Sequence, residues 1–207
     1  MNHSIIIRAE ESDYREIRAL WLQALAQEPQ AFKKSYLDEL LISENQWKHI
    51  LHIQSCETPH DFFMVAKLEG SIVGMIGAEF ISTKVWKLHS VYVDQCVRGQ
   101  GIGRALVGEM VQYLECMFHA SRIELVVNTQ QISAIRVYRV CGFVIEKIIQ
   151  NQTSGDGKLY TKFHMSRTSF RDQETLISEH VNSSECERVR SHGDQSMVFF
   201  DNNILPQ

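Results

Sequence analysis

The sequence lacks long hydrophobic runs, paired cysteines and a leading signal segment. No apolar run approaches the ~18 residues of a membrane span, and residues 1–4 lead into an isoleucine-rich stretch without a basic region or a cleavage site. The five cysteines are odd in number, scattered, and never spaced as C-x-x-C. A disulfide framework and a zinc site are therefore not indicated. We expect a cytoplasmic protein with reduced thiols, no bound metal and no association with membranes.

Clustered positive charge is also missing. The 207 residues include 21 basic and 25 acidic side chains, and this imbalance arises in 168–207, where three basic residues accompany seven acidic ones. The preceding 167 residues therefore carry 18 charges of each sign. Because affinity for nucleic acid depends largely on clustered Lys and Arg, this distribution argues against a nucleic-acid-binding domain.

The composition divides the chain into a domain and a tail. Residues 1–167 suffice for one α/β domain with a substantial core. In 168–207 Ser, Glu, Asn, His and Gln predominate, and apolar residues are few until 197–200. That segment cannot bury enough surface to fold alone. We predict an acidic tail over 168–207 that is disordered or loosely docked. Its apolar residues 197–200 could bind the domain or a partner.

Three alternating glycines follow an apolar, β-branched segment. They lie within 91–104, at Gly99, Gly101 and Gly103. After them, apolar residues from Leu106 to Phe118 recur every three or four positions, so the order predicts a strand, a tight turn and a helix with one buried face. The unpaired N–H groups and the dipole of a helix N-terminus suit a phosphate group. Arg98 and Arg104 can add charge-assisted hydrogen bonds.

Two common phosphate loops do not fit these glycines. A P-loop requires Lys followed by Ser or Thr, which is absent, and a dinucleotide fingerprint requires glycine at Arg104 near the first strand of its domain. The remaining pattern, R-x-x-G-x-G, resembles the coenzyme A pyrophosphate loop of the GNAT superfamily of N-acetyltransferases. Residues 134–143 resemble the A-x-x-x-Y-x-x-x-G-F motif of the same family. Because two patterns agree in order and spacing, a glycine-rich turn that binds nothing is the weaker interpretation.

Local signals predict the other elements. Ser12 is predicted to cap a first helix, Ser43 and Gln46 to form the capping box of a second, and Gly70 to turn a hairpin. Residues 29–39 either cover the acceptor side of the cleft, as a resemblance to one bacterial branch implies, or simply connect two helices. The resemblance implies the α/β (α+β) GNAT fold, with a mixed, mostly antiparallel sheet of six to seven strands flanked by about four helices.

The family resemblance also implies a reaction and a site. Acetyl-CoA would give its acetyl group to a primary amine by direct attack, with Tyr138 protonating the departing thiolate. Backbone groups of the strand would hold the pantetheine arm, and one N–H would stabilise the oxyanion. The coenzyme contacts implied by position are Val91, Tyr92, Val93, Arg98, Gly99, Gln100, Gly101, Ile102, Gly103, Arg104, Gln131 and Tyr138. A buried core tyrosine is the structural alternative for Tyr138.

The general base is not identified by the pattern. Glu79, near the end of its strand, and His89, on the next, are candidates, and a chain of water molecules is a third. Three positions depart from the family pattern: Gln95 replaces a proline, Val97 an aromatic residue, and Gln131 an asparagine. Gln131 retains the amide with one more methylene, which puts its coenzyme contact in doubt.

Three functional classes remain open. An acetyl-CoA-dependent N-acetyltransferase is the main interpretation, a catalytically silent acyl-CoA-binding module is the second, and an interaction protein that acts through its acidic tail is the third. The sequence does not decide between small amines, amino acids, peptide N-termini and lysine side chains as the acceptor. The oligomeric state, including a homodimer, stays open.

Overall fold

The computed structural model describes residues 4–54 and 61–169. The predicted tail therefore lies outside the described residues, apart from Thr168 and Ser169. The strands are β1 (Ile5–Arg8), β2 (Asp61–Leu68), β3 (Ser71–Ser82), β4 (Val85–Val93), β5 (Arg122–Asn128), β6 (Val144–Thr153) and β7 (Leu159–Thr168). The helices are α1 (Tyr14–Gln27), α2 (Tyr36–Leu40), α3 (Glu44–Gln54), α4 (Ile102–Met117) and α5 (Ile132–Val140).

One seven-stranded sheet organises the described residues. Its strand order is β1-β2-β3-β4-β5-β7-β6. All neighbouring pairs are antiparallel except β4 and β5. The parallel pair joins an N-terminal meander to a C-terminal β5-β7-β6 group, and α4 forms the crossover between its strands. The predicted mixed, mostly antiparallel sheet is confirmed.

Different helices cover the two faces of the sheet. On one face α4 buries Leu106, Met110 and Leu114 against apolar side chains of β2, β4 and β5. On the other face α1 and α3 pack on β2, β3 and the end of β4. Met117, expected in the buried stripe of α4, is 63% exposed. Phe118, also expected in that stripe, does pack against the core, with its ring centre 4.7 Å from that of Trp86 at the point where α4 ends.

The helix starts follow local hydrogen bonds, and one prediction was wrong. Ser12 does not cap α1, because Glu11–Asp13 forms a 3₁₀ turn in which Asp13 accepts from the Glu10 N–H at 3.0 Å and from Lys67 at 2.8 Å. The capping box of α3 is confirmed, since the Ser43 N–H donates to Gln46 at 2.9 Å. Sequence reasoning missed α2, whose N-cap Ser35 accepts from the Asp38 N–H at 3.1 Å.

Candidate active site

A β-bulge interrupts β4 before its end. Met75 of β3 pairs with Tyr92 and Gly77 pairs with His89, so Ser90 and Val91 together oppose Ile76. Ser90 has φ 50°, an uncommon conformation for a non-glycine residue. The extra residue shifts the alternation of side chains along the strand. Tyr92 therefore lies in the α1 core rather than the α4 core.

The parallel pair separates at the same place. β4 and β5 pair from Val85 with Arg122 to Leu88 with Leu125, and the pairing stops there. Beyond it the end of β4 and residues of the segment 130–138, which follows β5, border a cleft of about 630 Å³. All the predicted coenzyme-binding residues except Gln100 line this cleft. The R-x-x-G-x-G loop and α5 thus meet at the opening between the two strands.

The glycine loop presents free backbone donors. Gly99 and Gly101 have φ of 81° and 84°, a left-handed conformation that favours glycine. Nothing lies within 4 Å of a Cβ placed at either position. Within the described residues, no N–H of 99–104 donates to a protein acceptor. At the start of the 16-residue α4 these donors fit a pyrophosphate group without further rearrangement.

Arg98 points away from this row of donors. Its Nε donates to the Val93 carbonyl at 2.9 Å, and its NH2 lies 2.6 Å from Oε1 of Glu28. The guanidinium carbon also sits 5.3 Å from the centre of the Tyr92 ring. The expected contact between Arg98 and a pyrophosphate therefore competes with three contacts inside the protein.

Tyr138 occupies the far wall of the cleft. It lies on α5 with only 6% of its surface exposed, and its ring centre is 6.1 Å from that of Phe143. Among the described residues its hydroxyl has no hydrogen-bond partner. Burial, and secondarily the nearby thiol of Cys141, raise the pKa of Tyr138 well above its usual range. The phenol therefore keeps its proton at neutral pH.

The two side chains considered as bases lie outside the cleft lining. Glu79 is exposed on β3, between Asp61 and Lys87 in the sheet register. His89 packs over Gly77, with Nε2 at 2.9 Å from Asp61 Oδ1 and Nδ1 at 3.0 Å from Ser90 Oγ. The structure thus separates both from Tyr138 and the glycine loop, although His89 adjoins the bulge.

Asp94 caps the short turn Gln95–Val97, in which Gln95 stands where the family pattern has proline. Its Oδ1 accepts from the Cys96 N–H at 2.8 Å, and its Oδ2 accepts from Gln23 at 2.9 Å. These bonds, the backbone one first, lower the pKa of Asp94. A side-chain cap therefore fixes the 3₁₀ turn Gln95–Val97, which a proline would otherwise stiffen.

Residues 29–34, of which Gln30 lines the cleft, form the segment that we call the acceptor wall, after the prediction that it covers the acceptor side. The Gly155 N–H donates to the Phe32 carbonyl at 2.8 Å and to the Pro29 carbonyl at 3.2 Å. The side chains of Asn128 and Ser154 donate to the Gln30 carbonyl at 3.1 and 3.0 Å. The β6–β7 turn and the end of β5 therefore hold this segment in place.

Glu28 is a cleft residue that sequence reasoning missed. It follows the last residue of α1 and lines the cleft. Its Oε1 meets Arg98, and its Oε2 accepts from Gln131 at 3.3 Å. No periodic or motif signal marks this position, since only the fold brings the end of α1 to the glycine loop.

Comparisons with known proteins decide the family. The model of the acetyltransferase (GNAT) family matches residues 19–143. The chain belongs to this family. The L-amino acid N-acetyltransferase AaaT of Escherichia coli (strain K12) is 26% identical over 174 residues, which cover 81% of this chain and 99% of that protein. The prediction of an acetyltransferase is confirmed.

Solved structures agree on the fold. This acetyltransferase superposes on the ribosomal-protein-S5-alanine acetyltransferase of Vibrio fischeri with a TM-score of 0.72 and 17% identity, covering 82% of this chain and 95% of that one. For yncA of Salmonella typhimurium, solved with its cofactor acetyl-CoA, the TM-score is 0.66 and the identity 15%, over 80% and 94% of the two chains. In the described ranges no helix is long and apolar enough to cross a membrane.

Proposed function

We propose that this acetyltransferase transfers the acetyl group of acetyl-CoA to a primary amine that attacks the thioester directly. The observation that carries this proposal is the meeting of three features in one cleft. These are the N–H groups of 99–104, the separated edge of β4 after its bulge, and the hydroxyl of Tyr138. Within 4–54 and 61–169 neither the N–H groups nor the hydroxyl has a hydrogen-bond partner. Bound there, acetyl-CoA supplies an activated acetyl thioester.

The proposed chemistry requires two events at the thioester carbonyl. The amine nitrogen forms a bond to the carbonyl carbon, and the oxygen takes up negative charge that a backbone N–H of Val91 or Val93 can stabilise. The carbon–sulfur bond then breaks, and the thiolate takes the proton of Tyr138. The nitrogen of the new amide releases its extra proton, which restores the Tyr138 hydroxyl through water. Tyr138 is available as the donor because burial keeps its phenol protonated at neutral pH.

The proton of the acceptor's ammonium form must leave before the attack. His89 is better placed for this than Glu79, because His89 follows the last β4–β5 pair and its ring is oriented by Asp61. It lies outside the cleft lining, so a water molecule must connect it to the amine. We retain His89 with water as the proposed proton route.

The names of the relatives suggest which primary amines to test as acceptors. The Escherichia coli relative is named for L-amino acids, and the Vibrio fischeri neighbour for an alanine of a ribosomal protein. We therefore propose a panel of free amino acids, peptides with free N-termini, lysine side chains and small alkylamines.

Thiol release with acetyl-CoA and this panel tests the proposal. We expect one class of amine to give turnover above the hydrolysis background. Failure of every amine, with coenzyme binding intact, would instead support the silent acyl-CoA-binding module.

Binding is measured separately by thermal shift. A coenzyme present at ~100 times its dissociation constant adds about 2.7 kcal/mol of apparent stability, which raises the melting temperature measurably. Absence of a shift at millimolar coenzyme would contradict the assignment of the cleft.

A further inference from the structure

Glu28 connects three parts of the cleft that are distant in sequence. It terminates α1, pairs with Arg98 of the glycine loop at 2.6 Å, and accepts from Gln131 at the start of α5 at 3.3 Å. Its side chain is only 21% exposed. Both of its oxygens are engaged, so its carboxylate is already oriented before any ligand enters.

The partner of Glu28 is itself fixed in place. Arg98 donates to the Val93 carbonyl at 2.9 Å and stacks over the ring of Tyr92, so its guanidinium belongs to the end of β4. Tyr92 in turn donates to Gln27, the last residue of α1, at 2.6 Å. The end of α1 is therefore attached to β4 through both a charged pair and a hydroxyl bond.

The acceptor wall begins immediately after Glu28. Asn128, Ser154 and Gly155 bind its carbonyls at residues 29, 30 and 32, and so attach it to β5 and the β6–β7 turn. Gln27 and Glu28 attach its start to β4 and the glycine loop. Any freedom at Glu28 would therefore change the distance between the acceptor wall and the glycine loop.

We propose that Glu28 is a positioning residue that acts through Arg98 and Gln131. It fixes the acceptor wall against the glycine loop, and the structure assigns Arg98 to this contact rather than to the pyrophosphate. Gln131, one methylene longer than the family's usual asparagine, has the reach to join the contact. The inference rests on the proposed amine acetylation for its kinetic consequences, but its structural consequence is independent of turnover.

Hydrogen exchange tests the structural part without any substrate. In Glu28→Gln the amides of Ala31, which donates to the Glu28 carbonyl, and of Gly155, which donates to the Pro29 and Phe32 carbonyls, should exchange at least ~10-fold faster, because the charged contact that opposes local opening is lost. The amides of α4 should keep their protection. Glu109→Gln, which removes an equal charge from the exposed face of α4, is the matched control and should leave the exchange of both amides unchanged. Unchanged exchange at both amides in Glu28→Gln would overturn the proposal.

Kinetics test the consequence for the reaction. We expect Glu28→Gln and Arg98→Gln each to lower kcat/KM for the amine by ~10- to 100-fold, since small displacements of a positioned reactant carry losses of this size. The dissociation constant for coenzyme A should stay within ~3-fold in both, because backbone N–H groups hold the pyrophosphate. The double variant should lose no more than the worse single variant. Additive losses, or a coenzyme affinity reduced ~10-fold or more, would overturn the proposal.

Amines of different charge show whether Glu28 positions the acceptor wall or contacts the substrate directly. If Glu28 only positions the wall, Glu28→Gln should reduce turnover equally for an alkylamine, which is protonated at neutral pH, and for an aromatic amine, which is not. A loss confined to the alkylamine would make Glu28 a ligand of the substrate and overturn the positioning role. Lack of wild-type turnover with every amine would count against the proposed function, and hydrogen exchange would still decide the role of Glu28.

Discussion

Tyr138 combines deep burial with a hydroxyl that has no hydrogen-bond partner among the described residues. A structural tyrosine in this position would be expected to use its O–H in a protein hydrogen bond. Tyr138→Phe keeps the ring and its contact with Phe143 but removes the donor. We expect turnover to fall by ~10²- to 10⁴-fold while coenzyme affinity changes little. Calorimetry and thiol release on the same sample check this, and equal turnover in both proteins would remove Tyr138 from the mechanism.

Gly101 joins the coenzyme loop to α4 in a left-handed conformation with φ 84°. Gly101→Val forces a β-branched side chain into that left-handed conformation, which strains the backbone that presents the N–H groups of 99–104. We expect loss of the thermal shift by coenzyme A, together with a lower melting temperature.

Gly108 provides the matched glycine for that experiment. It lies within α4, and nothing is within 4 Å of a Cβ placed there. Gly108→Ala should retain the coenzyme shift and stabilise the protein by ~0.5–1 kcal/mol, since alanine is the better helix former. A retained shift in Gly101→Val would show that the coenzyme binds elsewhere.

At the scale of single residues, the sequence predicted which residues of the glycine loop and of α5 line the cleft better than it predicted the lining at the end of α1. Gly101 and Tyr138 stand in motifs whose spacing the fold preserves, so position alone brought them to the cleft. Glu28 has no such pattern, because its importance depends on contacts with residues about seventy and one hundred positions away. Long-range pairing of this kind leaves no periodic trace in the sequence.

Among the elements, β6 is joined to the sheet by a charged cluster in addition to its pairing with β7. Glu146 of β6 accepts from Arg122 of β5 at 2.5 Å and from Ser166 of β7 at 2.6 Å. These bonds, with that of Arg122 the larger cause, lower the pKa of Glu146 from 4.5 to about 2. A carboxylate with a lowered pKa stabilises the folded state above its ordinary pKa and loses this contribution as pH falls toward the folded value.

Acid unfolding should therefore depend on Glu146. Between pH 4.5 and 2 the free energy of unfolding should fall less steeply in Glu146→Gln than in the wild type, and at pH 7 the variant should be less stable. Urea unfolding at a series of pH values measures both quantities. Glu109→Gln should follow the wild-type pH dependence, and parallel curves for Glu146→Gln and the wild type would contradict the assigned pKa.

The β6–β7 turn has a steric constraint of its own. A Cβ at Gly155 would collide with the carbonyl of Lys34 in the acceptor wall. Gly155→Ala should separate the turn from the wall, so we expect a lower melting temperature and a raised KM for the amine with unchanged coenzyme affinity. Gly157→Ala has open space around the new methyl group and should disturb the wall far less, despite its φ of 74°. Equal effects of the two variants on KM would exclude a steric cause.

For the whole molecule, the sequence predicted the order of strands and the mixed sheet, because glycine turns and apolar alternation mark most elements. It missed the short α2, whose five residues give too little periodicity to recognise. It also placed the start of α1 at Ser12, because the competing contact of Asp13 with Lys67 of β2 is tertiary. Tertiary contacts of this kind override local capping preferences.

The boundary of the folded domain can be tested directly. β7 ends at Thr168, and the Ser169 N–H donates to the Ser121 carbonyl, next to β5, at 2.9 Å. Contacts of the described residues with the domain therefore continue two residues beyond the predicted boundary at 167. A chain that ends at Ser169 should stay folded and keep its coenzyme shift, whereas one that ends at Arg167 should melt at a lower temperature. An insoluble chain ending at Ser169 would show that residues of 170–207 belong to the core.

Because of the bulge in β4, the number of residues in that strand decides which face of the sheet each later side chain occupies. Side chains alternate with a period of two, so deletion of Ser90 would exchange the faces of every later residue in the strand. Tyr92 would turn away from Gln27, and Val91 and Val93 would leave the α4 side for the α1 side. One missing residue would thereby damage both cores at once, which no single side-chain replacement in β4 can do.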